Sequence, residues 1–160
     1  MTEMMKMSIK EYAKYYKTEE NLFKELKNAK SLTKQQLRQV IFWKSPRNLK
    51  QEKNSEEDVI NKTIDALSKT VDEEKIKTLC DLKGIGVAIA SAILTMVNPE
   101  KYGIIDFHAW RALYKEKKES FTKKDYIKYL KEIQKTAKEE NITPREIDKG
   151  LLIKDAKVKC

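Results

Sequence analysis

Residues 87–97, Val-Ala-Ile-Ala-Ser-Ala-Ile-Leu-Thr-Met-Val, form an almost wholly apolar run in a chain whose charged residues make up 37% of its 160. A helix that is apolar on every side has to be enclosed by protein. The run is too short to cross a bilayer, which takes roughly 18 apolar residues or more, and no other stretch reaches that length. The rest of the chain must therefore wrap this segment. The small residues Ala88, Ala90, Ser91 and Ala92 let neighbouring elements come close.

The wrapping elements read as helices as well. Glycine (4) and proline (3) are scarce, and Lys, Glu, Leu, Ile and Ala dominate, all residues that tolerate or favour helix. Ser8 is a candidate cap for a helix over about 8–17 with Ile9, Tyr12 and Tyr16 on one face. Residues 19–29 bring Leu22, Phe23 and Leu26 together. Thr33 with Gln36 is a capping-box pair, followed by the stripe Leu37, Val40, Ile41 and Trp43, and Ser45-Pro46 should stop that helix because the residue before proline is pushed out of helical geometry. Residues 48–54 read as a basic polar loop. Ser55 caps a helix with Val59, Ile60, Ile64 and Leu67 inward, and Asp72 caps one with Ile76, Leu79, Cys80 and Leu82 inward. Asn98 to Gly103 reads as a loop, and Asp106 starts a helix to about Tyr114. Thr122 starts another with Tyr126, Ile127, Leu130 and Ile133 inward. Thr143-Pro144-Arg145-Glu146 has cap, N1 proline and N3 glutamate in order. No alternating strand pattern and no internal repeat is present. The expected fold is all-α: one domain over residues 1–160, a compact bundle of about eight to ten short helices.

Charge is unevenly distributed. The net charge is +9; residues 31–54 carry six Lys/Arg against one Glu and 111–138 ten against four acids, while 55–82 carry four Lys against eight acids. Two basic segments around an acidic one suit a polyanion on one face; a Lys-rich solvated surface reads the same way. Cys80 and Cys160, with a single histidine, are too few for a four-cysteine iron–sulfur cluster or a conventional zinc site. With no disulfide framework and no apolar signal core, the chain is expected to be intracellular (cytoplasmic), off the membrane and monomeric.

The turn before the apolar run is Leu82-Lys83-Gly84-Ile85-Gly86. Two glycines around one apolar residue can aim backbone N–H groups outward, and the helix N-terminus that follows favours an anion. Ile85 would plug the turn and Lys83 would add a charged phosphate contact. Asp106 then stands at a helix start, where a carboxylate serves either as an N-cap or as a reactive group.

Leu-x-Gly-Ile-Gly, a small-residue apolar helix, a proline and then an aspartate at a helix start resemble the helix-hairpin-helix DNA glycosylase superfamily, over residues 79–114. The resemblance implies a helix-hairpin-helix at about 73–97 that holds a DNA backbone through Lys83, Gly84, Ile85, Gly86 and Ala88. It implies that Asp106 is catalytic, stabilising the oxocarbenium-like sugar as the N-glycosidic bond of a flipped-out base breaks. The partner is then double-stranded DNA. Bifunctional members carry a lysine two residues after the last hairpin glycine; here that residue is Ala88, which implies a monofunctional enzyme that uses water. No iron–sulfur cluster is implied, while a monovalent cation at the hairpin is compatible with the resemblance. Trp43, Lys44 and Arg47, in the cluster Phe42-Trp43-Lys44-Ser45-Pro46-Arg47, and His108, Trp110 and Arg111 are candidates for the base pocket or for phosphate contacts; for Trp43 and Trp110 core packing is the alternative, and for His108 a role in capping.

Overall fold

The computed structural model describes residues 9–159; Ser8 and Cys160 lie outside that range. In chain order the elements are α1 (Ile9–Ala13), α2 (Glu19–Leu26), α3 (Lys34–Lys44), a 3-10 segment (Pro46–Gln51), α4 (Glu56–Ser68), α5 (Asp72–Cys80), α6 (Val87–Val97), α7 (Phe107–Tyr114), α8 (Lys123–Glu140) and α9 (Pro144–Lys159). The described residues are helical and compact, and none of them is in a strand.

α6 is the enclosed run. Every residue from Ile89 to Met96 is buried, with α2, α3, α5 and α8 packed around it. Its two hydroxyls turn back on the helix itself: Ser91 donates to the Ala88 carbonyl and Thr95 to that of Ser91. Neither therefore costs an unpaired polar atom in the core.

The caps that stand in the sequence do their work. Thr33 and Gln36 exchange both capping-box bonds, as do Thr122 and Asp125. Thr143 accepts from the Glu146 N–H while Glu146 accepts from that of Thr143. Asp106 Oδ1 accepts from Ala109 N at 2.7 Å.

Four expectations are corrected. α1 has only five residues, and Tyr16 lies beyond it, 65% exposed. In α4, Ile64 is exposed, whereas Val59, Thr63 and Ala66 are buried. Thr63 sets this face: its hydroxyl donates to the Val59 carbonyl and accepts the Leu32 N–H. Asp72 is not a cap. Val71 occupies that position without a side-chain bond, while Asp72 accepts the Tyr102 hydroxyl and faces Lys101. Finally, residues 48–54 are not a solvated loop. Their first half is 3-10 helix, and Leu49, Glu52 and Asn54 are buried.

Candidate functional site

That last correction matters because the buried part of 46–54 is the support for the glycine turn. Gly84 has φ +82°, in the left-handed region, and a Cβ there would stand 2.8 Å from backbone atoms of Gln51 and Glu52. The Asn54 side chain clamps the turn with two bonds: Lys83 N–H donates to Oδ1 and Nδ2 donates to the Lys83 carbonyl. Glu52 holds Asn54 through Oε2 and receives Arg38 on Oε1 at 2.7 Å. Burial alone would raise the Glu52 carboxyl, but bonds from Arg38 and Asn54 and the charge of Lys34 bring it below its ordinary value. It is thus a fixed anion beneath the turn. Ile85 is buried, 5% exposed, as the plug. Lys83 and Gly86 are exposed, Ala88 is half-buried in the first turn of α6, and the exposed Lys50 and Lys53 belong to the supporting segment. Gly86 differs from Gly84: it caps α6 in extended geometry, φ −95°, and a Cβ there would meet nothing within 4 Å.

The segment 103–105 joins this region to Asp106. Ile105 N–H donates to Ser91 Oγ of α6. Tyr126 and Tyr129 of α8 donate to the carbonyls of Gly103 and Ile104, and Asp148 of α9 accepts the Ile104 N–H at 2.7 Å. Asp106 is therefore held by α6, α8 and α9 as well as by its own helix.

Asp106 lines a cavity of about 290 Å³ together with Glu19, Trp43, Lys44, Ile104, Arg145, Asp148, Lys149, Leu152 and Ile153. One Asp106 oxygen serves the α7 cap; the other is 3.9 Å from Lys44 Nζ. Lys44 is the last residue of α3, with its side chain only 16% exposed. Burial lowers its affinity for a proton, Asp106 and Asp148 oppose this, and Arg145 adds to it; the net direction is down. Arg145 pairs with Glu19 and Asp148, and its guanidinium lies over the rings of Phe23 and Trp43. Burial pushes the Asp148 carboxyl up to about 7, against the pull of Arg145 and of the Ile104 N–H, with the Asp106 charge adding to the rise. The wall thus offers an aromatic face, two aliphatic side chains at the α9 rim, and opposed carboxylates and cations.

Of the sequence candidates, Trp43, Lys44 and Asp106 meet in this cavity. The others go elsewhere. Arg47 is exposed and is not part of the cavity wall. Trp110 is 2% exposed, packed at a tilt against the rings of Tyr114 and Phe121, and donates to Glu116; it takes the core alternative. Arg111 makes a two-bond pair with Asp155, and His108 Nδ1 lies 2.7 Å from the same carboxylate. Arg111, with His108, holds the Asp155 carboxyl well below the usual carboxylate range. These two side chains fasten α9 to α7 and so build the cavity from behind. Reading the chain alone missed Asn54, Glu52, Arg145, Asp148 and Lys149. Asn54 and Glu52 look like any polar loop residues, and the α9 trio is far from the turn in sequence. The single usable signal was the strong helix start at Thr143-Pro144, which fixes the register of Arg145, Asp148 and Lys149 on α9.

Among the described residues no three His, Cys, Asp or Glu side chains gather as a metal site, and no helix is long and apolar enough to cross a membrane. No family model, curated protein or solved structure matches the chain.

Proposed function

We propose that the protein is a DNA glycosylase that binds duplex DNA as a monomer and hydrolyses the N-glycosidic bond of a flipped-out damaged, mismatched or modified base. The observation that carries the reading is Asp106, rigidly held with one oxygen on a helix cap and the other on the wall of a cavity near the lower end of small-ligand pocket sizes. As the base departs, positive charge builds on the deoxyribose. A carboxylate fixed in advance stabilises that charge without reorganising, and it can orient the attacking water. Trp43 gives the extruded base a face to stack on.

The glycine turn supports the same reading as a helix-hairpin-helix. Gly84 is demanded by the fold, but no described residue demands the bare backbone at Gly86. A strand lying against the α6 N-terminus gives it a reason, since phosphate oxygens approach N–H groups most closely where no side chain intervenes. Such contacts position the duplex without reading its sequence.

The test is a panel of duplexes, each with one oxidised, alkylated, deaminated, mismatched or modified base, incubated with the protein and then heated in alkali to cut abasic sites. Cleavage at one class of base identifies the substrate. No cleavage across the panel, with salt-dependent DNA binding intact, would leave a binding protein and reject the enzyme.

A further inference from the structure

A larger cavity, about 390 Å³, opens between the end of α2, the link from α4 to α5 and the end of α6. Its charge is one-sided. Lys30, Lys69, Lys75 and Lys101 line it, and among the described residues no acid does. The Asp106 cavity, by contrast, sets Lys44, Arg145 and Lys149 against Glu19, Asp106 and Asp148. We infer that the four lysines form a binding site for a small phosphorylated molecule carrying two or more negative charges. The inference is independent of the glycosylase reading.

Charges of one sign around a concave surface repel one another and concentrate counter-ions there. The chain neutralises only part of this charge. Lys69 is 3.3 Å from Asp65 and Lys101 is 3.4 Å from Asp72, both pairs in contact with solvent, and Asp72 also accepts the Tyr102 hydroxyl. Among the described residues no carboxylate forms an ion pair with Lys30 or Lys75. Lys75 is half-buried and donates to the Leu67 carbonyl at 3.1 Å. Burial, and after it the Lys101 charge, loosens its hold on a proton, with Asp72 opposing. Lysines also gather at helix C-termini, where unpaired carbonyls favour cations. Here that demand is small. The Val97 carbonyl at the end of α6 already accepts the Asn28 N–H, and the Leu94 and Asn98 carbonyls accept backbone N–H groups as well.

Phosphate suits what remains. An ammonium is a compact charge with three donors, and Asn28, Thr70 and Asn98 add neutral donors on the same wall. The volume falls in the range of small-molecule sites and exceeds what a lone phosphate fills. Leu67 and Val97 give the remaining space an apolar side. A nucleic-acid backbone carries the same phosphate chemistry, but the glycine turn stands at the other end of α6, ten residues or about 15 Å from Val97. The recess is thus separate from the surface proposed for DNA.

The experiment titrates the isotope-labelled full chain with sodium pyrophosphate at constant ionic strength and follows the backbone amides by NMR. The expected result is a saturable shift centred on residues 28–30, 69–75 and 97–102. Affinity should fall about fivefold in Lys75→Gln and about threefold in Lys30→Gln, and stay unchanged in Lys138→Gln, in the last turn of α8. Lys30 is exposed, so its variant decides if Lys75→Gln fails to fold. Shifts that do not saturate, that spread over every basic surface, or that persist at equal affinity in both variants overturn the inference. A parallel titration with a short DNA duplex separates the two sources of phosphate. If the duplex moves these resonances and pyrophosphate does not, the recess is a nucleic-acid contact and the small-molecule site is rejected.

Discussion

The glycine turn and the Asp106 cavity lie at the two ends of one rigid connection, Ser91 to Ile105, yet they are built in opposite ways. The turn is local. Its glycines, plug and following helix occupy residues 82–97, and only its support comes from outside. The cavity is collected from α2, α3, the start of α7 and α9, residues spread from position 19 to position 153. The turn holds few side chains and is shaped by backbone; the cavity is shaped by side chains and by charge. Each should therefore fail in its own manner when altered.

The largest effect is expected at Gly84. Alanine there must adopt a left-handed backbone and push into Gln51 and Glu52. Strain and overlap should together cost about 3–5 kcal/mol, read as a fall in urea midpoint. A milder loss would mean that the turn is less fixed by its support than argued.

Next comes pH, which should separate the two regions. The Asp148 carboxyl is raised from 3.8 to about 7 by burial, so the folded protein holds that proton more tightly than the unfolded chain. Its contribution to stability is complete below about pH 4 and is lost as pH rises through about 7, up to roughly 4 kcal/mol in all. Unfolding of the protein and of Asp148→Asn from pH 4 to 8 should differ by a slope of that sign. A difference independent of pH would show that Arg145 keeps Asp148 ionised throughout.

The smallest effect on the fold belongs to Gly86. Serine is a good N-cap and its Cβ meets no described atom within 4 Å there, so Gly86→Ser should leave stability within about 0.5 kcal/mol. Affinity for duplex DNA should still fall about tenfold, or 1.4 kcal/mol. Unchanged affinity would remove the turn from the DNA interface.

The same contrast explains what was legible in the chain. Residues 82–97 and the capping motifs at Thr33, Thr122, Asp106 and Thr143 depend on near neighbours, so spacing alone revealed them. Asn54 and Asp148 act on backbone groups 29 and 44 residues away, Glu52 reaches the turn only through Asn54, and nothing local marks them. Arg111 and Trp110 had the right chemistry for a cleft, but Asp155 and the aromatic cluster with Tyr114 and Phe121 claim them. Asp72 shows the same limit on a smaller scale: a good capping residue was taken instead by Tyr102 and Lys101.

The most direct measurement is base release by Asp106→Asn beside its DNA affinity. Asparagine caps a helix as well as aspartate does, so α7 and the fold should persist, and removal of a negative charge should leave binding equal or tighter. Release of the base that the unaltered protein excises should fall by at least about a hundredfold, some 2.7 kcal/mol of transition-state stabilisation. Base release within a few-fold of the unaltered protein, at equal affinity, would contradict the assignment of Asp106 as the catalytic group.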